Sequence, residues 1–311
     1  MTVDETQLVR WMKLSLIKGL GPRKIERIVG VFGSLDRTFD AQPHELLDTR
    51  VFKQDMLVEW KKLKEASDEN FRKVIRECSQ QNIRIVTMLD PAYPTKLKRM
   101  PYPPLTLFLW GNTSLLEGEK IAIVGTRQPS DEARKLAFEF SKYFADLGIT
   151  IVSGGAEGID TAAHEGALAS EIGKTICVWG TGLFHPYPEK NTSLFEKIKA
   201  SNGLLVSENL PNFSGSRISF IQRNRITSGL SNALFVCASE ETGGSMVQTK
   251  IAWEQRVPVF CPAMTLNIQP NAGIDCAVKN FDAQEVKSPQ ELIERFRRKP
   301  SSLSPYLGQE T

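Results

Sequence analysis

Apolar positions along this chain follow two rhythms, and the change between them divides it. Up to about residue 80 the spacing is helical. Leu8, Met12 and Leu16 fall on one face, and Ile25, Ile28, Val29 and Phe32 repeat the pattern after Lys18-Gly-Leu-Gly-Pro-Arg-Lys24. Gly19 and Gly21 predict a tight turn between two helices, with Pro22 opening the second. Met56, Leu57, Trp60, Leu63, Phe71, Val74 and Ile75 predict one long amphipathic helix across 55–80, broken at Gln80-Gln-Asn82. Short apolar runs then take over, at 83–89 and 105–110. From residue 121 on, strands at 121–125, 149–153, 175–180, 203–207, 233–237 and 257–261 alternate with helices near 131–147, 159–170, 190–201, 219–230 and 245–255. A last helix is predicted at 289–298. Such alternation predicts an α/β fold, a doubly wound and mainly parallel sheet with right-handed crossovers, preceded by a small helical domain. The expected division is a helical domain over 1–80, a sheet domain over 81–299, and a disordered tail over 300–311.

Composition narrows this little. With 41% hydrophobic and 24% charged residues the chain is that of an ordinary globular protein, and 311 residues suffice for two domains. A formal net charge of +3 argues for no partner, so any basic surface must be local. The five cysteines have no metal-ligand spacing, and three histidines are too few for a multi-histidine metal site. No metal or cofactor is expected. Asp4 and Glu5 stand where a signal peptide would be basic and apolar, and no apolar run reaches membrane-spanning length. A soluble cytoplasmic protein without a membrane partner is expected.

The chemistry concentrates at two strand–glycine–helix junctions. The first reads Ile121-Ala-Ile-Val-Gly-Thr-Arg127, then Pro129-Ser130; the second reads Ile149-Thr-Ile-Val-Ser-Gly-Gly-Ala-Glu-Gly-Ile-Asp160. Each aims backbone N–H groups and a positive helix end at one point. Gly125 lets backbone approach a ligand, and Arg127 can grip a phosphate through two parallel hydrogen bonds. Ser130 predicts an N-cap, and Asp131 and Glu132 behind it compete with phosphate for that helix end. Ser153, Gly154, Gly155 and Ala156 are small enough for several N–H groups to point outward, with Gly158 next. Asp160 and His164, four apart on one helical face, are expected to hydrogen-bond as a structural brace; an acid–base pair is the other reading. The spacing is not that of the dinucleotide fingerprint, and no Walker lysine follows.

From Asn209 to Ser239 there is no Asp or Glu, while Arg217, Arg223 and Arg225 are interleaved with Phe213 and Phe220. Arginines with aromatics and without carboxylates suit single-stranded nucleic acid, although Phe220 also reads as core. Loops at the same carboxyl edge carry Gly180-Thr-Gly182, Phe184 to Asn191 with Lys190 as an extra cation, and Thr242-Gly243-Gly244-Ser245.

Together, Gly125-Thr126-Arg127 with Pro129-Ser130, Ser153 to Asp160 with His164, Gly180-Thr-Gly-Leu183 with Tyr187-Pro188 and Asn191, Ser207-Glu208, and Arg223-Asn224-Arg225 with Gly229-Leu230 resemble the DprA/Smf family. Tyr93-Pro94, Leu97, Pro104 and Trp110-Gly111 add to the likeness, which spans about residues 8–262. The resemblance implies an extended Rossmann-like fold, single-stranded DNA binding, a homodimer, and loading of the recombinase RecA during natural transformation. It also implies DNA-contacting roles for Gly125, Arg127, Ser153 to Ala156, Gly158, the 184–191 loop and Arg223-Asn224-Arg225. The 18–24 segment is similar to a helix–hairpin–helix element, which can serve DNA or protein contact. Pro262-Ala263-Met264 and Asn271-Ala-Gly273 depart from the family's Pro-Gly and glycine-rich turn, and the chain stops too soon for its winged-helix domain. A competing reading is a nucleotide-processing enzyme or nucleotide sensor similar to the phosphoribohydrolases. Gln248 and Lys250 stand where such an enzyme wants a carboxylate, so no catalytic residue is assigned.

Overall fold

The structure, a computed structural model, describes residues 4–297; the expected tail at 300–311 and the end of the last predicted helix lie outside them. The helical rhythm of the first 80 residues becomes α1 (Glu5–Ser15), α2 (Pro22–Phe32), α3 (Leu35–Asp40), α4 (Pro43–Asp48), α5 (Gln54–Glu65) and α6 (Glu69–Gln80). The single helix expected over 55–80 is two. Lys13, only 3% exposed, explains the break: its Nζ donates to Ala66 O at 2.7 Å and pairs with Asp68 at 2.6 Å, holding 66–68 out of helix. Gly19 makes the predicted hairpin at φ +82°. The hairpin's Lys18 N–H donates to Glu59 of α5 at 2.7 Å, so this amide is spent inside the protein.

The short apolar runs form β1 (Ile83–Thr87), β2 (Thr106–Gly111), β3 (Lys120–Val124), β4 (Thr150–Ser153), β5 (Thr175–Trp179), β6 (Leu204–Ser207), β7 (Ala233–Val236), β8 (Val259–Pro262) and β9 (Gln284–Val286). They join in one sheet of order β1-β2-β6-β5-β4-β3-β7-β8-β9. Neighbours from β6 through β9 are parallel; β1–β2 and β2–β6 are antiparallel. The connecting helices are α7 (Thr95–Lys98), α8 (Asp131–Asp146), α9 (Ile159–Leu168), α10 (Thr192–Ala200), α11 (Arg217–Leu230), α12 (Gly244–Glu254), α13 (Ala272–Phe281) and α14 (Pro289–Arg297). The chain therefore lays down β3, β4, β5 and β6 in one direction, then returns to place β7 on the other side of β3. Strand order reverses there, and ligands of such sheets bind at the carboxyl ends beside a reversal.

Strands β3 to β7 are buried throughout, as a sheet covered on both faces requires. Ile121, Ile123, Ile151 and Phe235 face Ala137, Phe140 and Phe144 of α8 and Ala163 and Ala167 of α9. Phe140 stacks on Phe235 with ring centroids 4.6 Å apart. The alternate residues Ala122, Val124, Val152, Val178 and Leu234 share a core on the opposite face with Ile226 and Leu230 of α11, and that core continues into Trp11, Leu14, Ile25 and Trp60 of the N-terminal helices. The helical segment is thus packed directly on the sheet. Among the elements not anticipated are α7, in a stretch that read as turn or extended chain, and α13 and β9, in and after the segment where the sequence departs from the family pattern.

Candidate nucleic-acid interface

Both glycine junctions fold as strand–turn–helix, and they interlock. Thr126 N donates to Ala238 O at 2.8 Å, while Thr126 O accepts from Ile159 N, the first amide of α9, at 3.2 Å. Gly158 has φ +84°, and a side chain there would run into Thr126 O, with Arg127 Cα only 2.8 Å away. Ser130 caps α8 as expected, accepting from Ala133 N at 3.1 Å. Its helix end is therefore filled, and Arg127, exposed beyond it, carries the positive charge of the first junction.

α11 lies across the ends of β4 and β5. A capping box between Ser216 and Ser219 starts it, two residues before the predicted helix, and no acidic residue stands in its first turn. Phe220 packs against Gly180 at the end of β5, and the Arg223 guanidinium fills the space a side chain on Gly154 would need. The result is a cavity of about 40 Å³ lined by Arg127, Gly154, Ala156, Glu157, Tyr187, Pro188, Phe220 and Arg223. Tyr187 and Phe220 tilt together above it, centroids 5.1 Å apart.

Arg223 sets the electrostatics of this crevice. It is 7% exposed, and its Nε and Nη1 have no hydrogen-bond partner among the described residues. Buried donors normally find acceptors, because leaving them unpaired costs about 1–3 kcal/mol each and more for charged groups. Burial pushes the guanidinium below its usual pKa, while Asp160 pulls it back up. Asp160 makes no direct ion pair with it among the described contacts. Its Oδ2 instead accepts from Gly154 N at 3.2 Å and Ala156 N at 3.3 Å. Burial pushes the Asp160 carboxyl up, against Arg223 and those amides. Two guanidinium groups thus line one small cavity, and no described carboxylate pairs directly with either, a charge pattern that suits an anion.

Several expected groupings are rearranged. The Gly154 and Ala156 amides face inward to Asp160 and not outward to a ligand, so side chains carry more of the site than the loop does. Asp160 and His164 do not bond to each other. His164 Nδ1 meets Thr175 Oγ1 at 2.8 Å, tying α9 to β5, and Asp160 braces the 154–156 loop without it. Burial and the nearby Arg223 charge push the His164 imidazole down to about 3, so it is neutral at ordinary pH. Ser153 is buried and donates to Ile123 O at 2.7 Å. Gly155, at φ +74°, sits against Cys177 and Phe195. Asn191 is a second brace, donating to Gly155 O at 3.0 Å and Thr161 Oγ1 at 2.9 Å. Lys190 is exposed and pairs at 3.2 Å with Glu157, an acidic wall residue that sequence reasoning did not single out. Phe184 is half-buried against the apolar cluster around Trp179 and Phe195.

The arginine segment divides. Arg217 is exposed at the start of α11, and Arg223 enters the crevice. Arg225 turns away and pairs with Glu208 at 2.5 Å, a carboxylate one residue outside the acid-free stretch. Asn224 is buried and donates to Gly244 O at 3.3 Å, joining α11 to the loop that starts α12. Gly243 and Gly244 are exposed there, and Ser245 shares a 2.7 Å hydrogen bond with Ser239; none of the three lines the small cavity. Along α12 no carboxylate precedes Glu254, and Gln248 is buried. Tyr187 and Pro188, within the 184–191 loop to which the resemblance gave a DNA-contacting role, and Phe220, expected as a stacking ring or as core, are the other wall residues. Their signal was present in the Tyr-Pro pair and in Phe220 lying three residues, nearly one turn, before Arg223.

Comparison with known proteins agrees with this architecture. The chain is 33% identical over 287 residues to Protein Smf of Synechocystis, covering 91% of this chain and 71% of that protein. It is 33% identical over 225 residues to the DNA processing protein DprA of Bacillus subtilis, covering 72% and 75%. The crystal structure of DprA from Streptococcus pneumoniae superposes with a TM-score of 0.79 at 28% identity, covering 95% of this chain and 99% of that one. DprA of Helicobacter pylori, whose structure concerns its single-stranded DNA binding mode, gives 0.61 at 30% identity over 69% of this chain and 96% of that one. Residues 84–297 match the family of the DNA recombination-mediator protein A, and the chain belongs to that family.

Proposed function

We propose that this protein binds single-stranded DNA by seating backbone phosphates in the crevice between Arg127 and Arg223, and that it does so without catalysis. Acting as a homodimer, it shields incoming DNA and passes it to a RecA-type recombinase in transformation or other homologous recombination. The observation that carries the binding is Arg223, a buried guanidinium that lines a cavity beside a second, exposed guanidinium and whose Nε and Nη1 find no partner among the described residues. A phosphodiester supplies the acceptor oxygens both side chains lack. The Tyr187–Phe220 pair beside them offers rings to unstacked bases, which duplex DNA does not expose. The relatives' names and the single-stranded DNA binding of the Helicobacter pylori protein support the same reading.

Gel shifts with single- and double-stranded DNA of several lengths, with and without RecA, test it. Tighter binding of single strands and faster filament growth of RecA on the bound strand are expected. Duplex bound as tightly as single strand would count against the crevice, and unchanged filament growth would remove the recombinase step while leaving DNA binding intact.

A further inference from the structure

The face of α11 opposite the crevice borders a second and larger cleft, of about 530 Å³, where the N-terminal helices meet the antiparallel edge of the sheet. Its floor and walls include Phe71, Phe108 and Leu16, its rim is Tyr102, and one side is the Arg225–Glu208 ion pair. Tyr102 is 74% exposed and Leu16 52%, so the cleft presents apolar surface to solvent at its rim. The volume is in the range of pockets that hold one small organic group, with mostly apolar lining and few polar groups.

We propose that this cleft receives an unstacked nucleobase of the same single strand whose phosphates occupy the crevice. The proposal rests on the single-stranded DNA reading above and extends it to a second contact. Three observations select this occupant. A base is flat and apolar on its faces, matching the exposed Tyr102 and the half-buried Phe71 of the lining. Its edge carries both donors and acceptors, as does the guanidinium–carboxylate pair facing it; an aliphatic occupant would offer nothing to the donors and acceptors that this pair does not use on itself. The third is continuity. Arg223 and Arg225 lie two positions apart on one helix, so they point to opposite sides of a cylinder about 10–12 Å across. On Arg225's side of α11, Ile221 and Ile218 are exposed one and two turns before it, with Arg217 at the helix start. A strand crossing that face would lay bases on the isoleucines and enter the cleft within a few nucleotides.

The test uses the full chain, oligodeoxynucleotides carrying a single 2-aminopurine at successive positions, and matched oligonucleotides with one abasic position. Wild type should quench 2-aminopurine at one or two positions and lose affinity when the base there is absent. Tyr102→Ala should weaken binding about 5- to 150-fold, the span of one base–aromatic stack, and abolish that quenching. Tyr102→Phe should restore both. Tyr102→Ala binding like wild type, with quenching unchanged, would overturn the proposal. Arg127→Ala, measured alongside, separates the two sites. Loss of binding in Arg127→Ala with none in Tyr102→Ala refutes the cleft and leaves the crevice. The reverse pattern upholds the cleft and removes the crevice.

Discussion

Replacing Gly154 by alanine probes the geometry of the crevice with one methyl group. Gly154 has no positive φ, so alanine meets no backbone strain there. The obstacle is the Arg223 guanidinium, because the new carbon would overlap Nη1, Cζ and Nη2. An ordinary contact needs about 3.5–4 Å, so the guanidinium must retreat by roughly 2 Å or more. That takes it out of reach of a phosphate in the cavity. A charge-assisted hydrogen bond is worth about 1.5–3 kcal/mol, so Gly154→Ala should weaken single-stranded DNA binding roughly 10- to 150-fold. The cost should vanish in an Arg223→Ala background, where the methyl group has room. Fluorescence anisotropy of a labelled oligonucleotide with wild type, both single variants and the double variant gives the coupling directly. If Gly154→Ala binds like wild type, or costs as much without Arg223 as with it, the guanidinium under that glycine does not hold DNA.

Further expectations are checked separately. His164 is held to about 3, below its unfolded value of about 6.5, so the unfolded chain binds the extra proton between these values. Its contribution is complete above about pH 6.5 and falls as pH drops, by about 2 kcal/mol at pH 5. Urea melts at pH 7 and 5 should show that loss in wild type and not in His164→Gln; equal pH dependence would contradict the buried neutral imidazole. Gly158→Ala combines a positive φ with overlap on Thr126 O, a backbone atom that cannot step aside. It should cost on the order of 3 kcal/mol or more in thermal melts, and an unchanged melting temperature would show that the junctions do not interlock. Lys13→Met should cost about 1.5–3 kcal/mol by chemical denaturation, since Ala66 O and Asp68 lose a charged donor; no loss would mean that the α5–α6 break forms without it.

The sequence carried the sheet plainly because fully buried parallel strands read as unbroken apolar runs, and glycine at their ends marks where helices begin. The helix–strand pair after residue 262 was legible in principle. Ile274, Ala277, Val278 and Phe281 have helical spacing, but the proline-, asparagine- and glycine-rich run before them read as loop. The division of labour between Arg223 and Arg225 was also within reach: two residues on a helix differ by about 200°, so both could not enter one crevice. What no local pattern shows is the folding of the Gly154 and Ala156 amides onto Asp160, or the placement of Arg223 under Gly154. Those contacts join residues from 4 to 69 positions apart, and only packing decides them. The acid-free window misled for Arg225 because charge pairing operates in space, and Glu208 stands just outside the counted stretch.

The proposed binding mode requires Arg127 and Arg223 each to neutralise phosphate charge on single-stranded DNA. The most direct measurement is the salt dependence of the dissociation constant for wild type, Arg127→Ala and Arg223→Ala on one oligonucleotide. Each phosphate neutralised on a single strand contributes about 0.7 to the slope of log affinity against log salt. Removing either arginine should weaken binding and flatten that slope by about this amount. Affinity and slope unchanged in both variants would contradict the account.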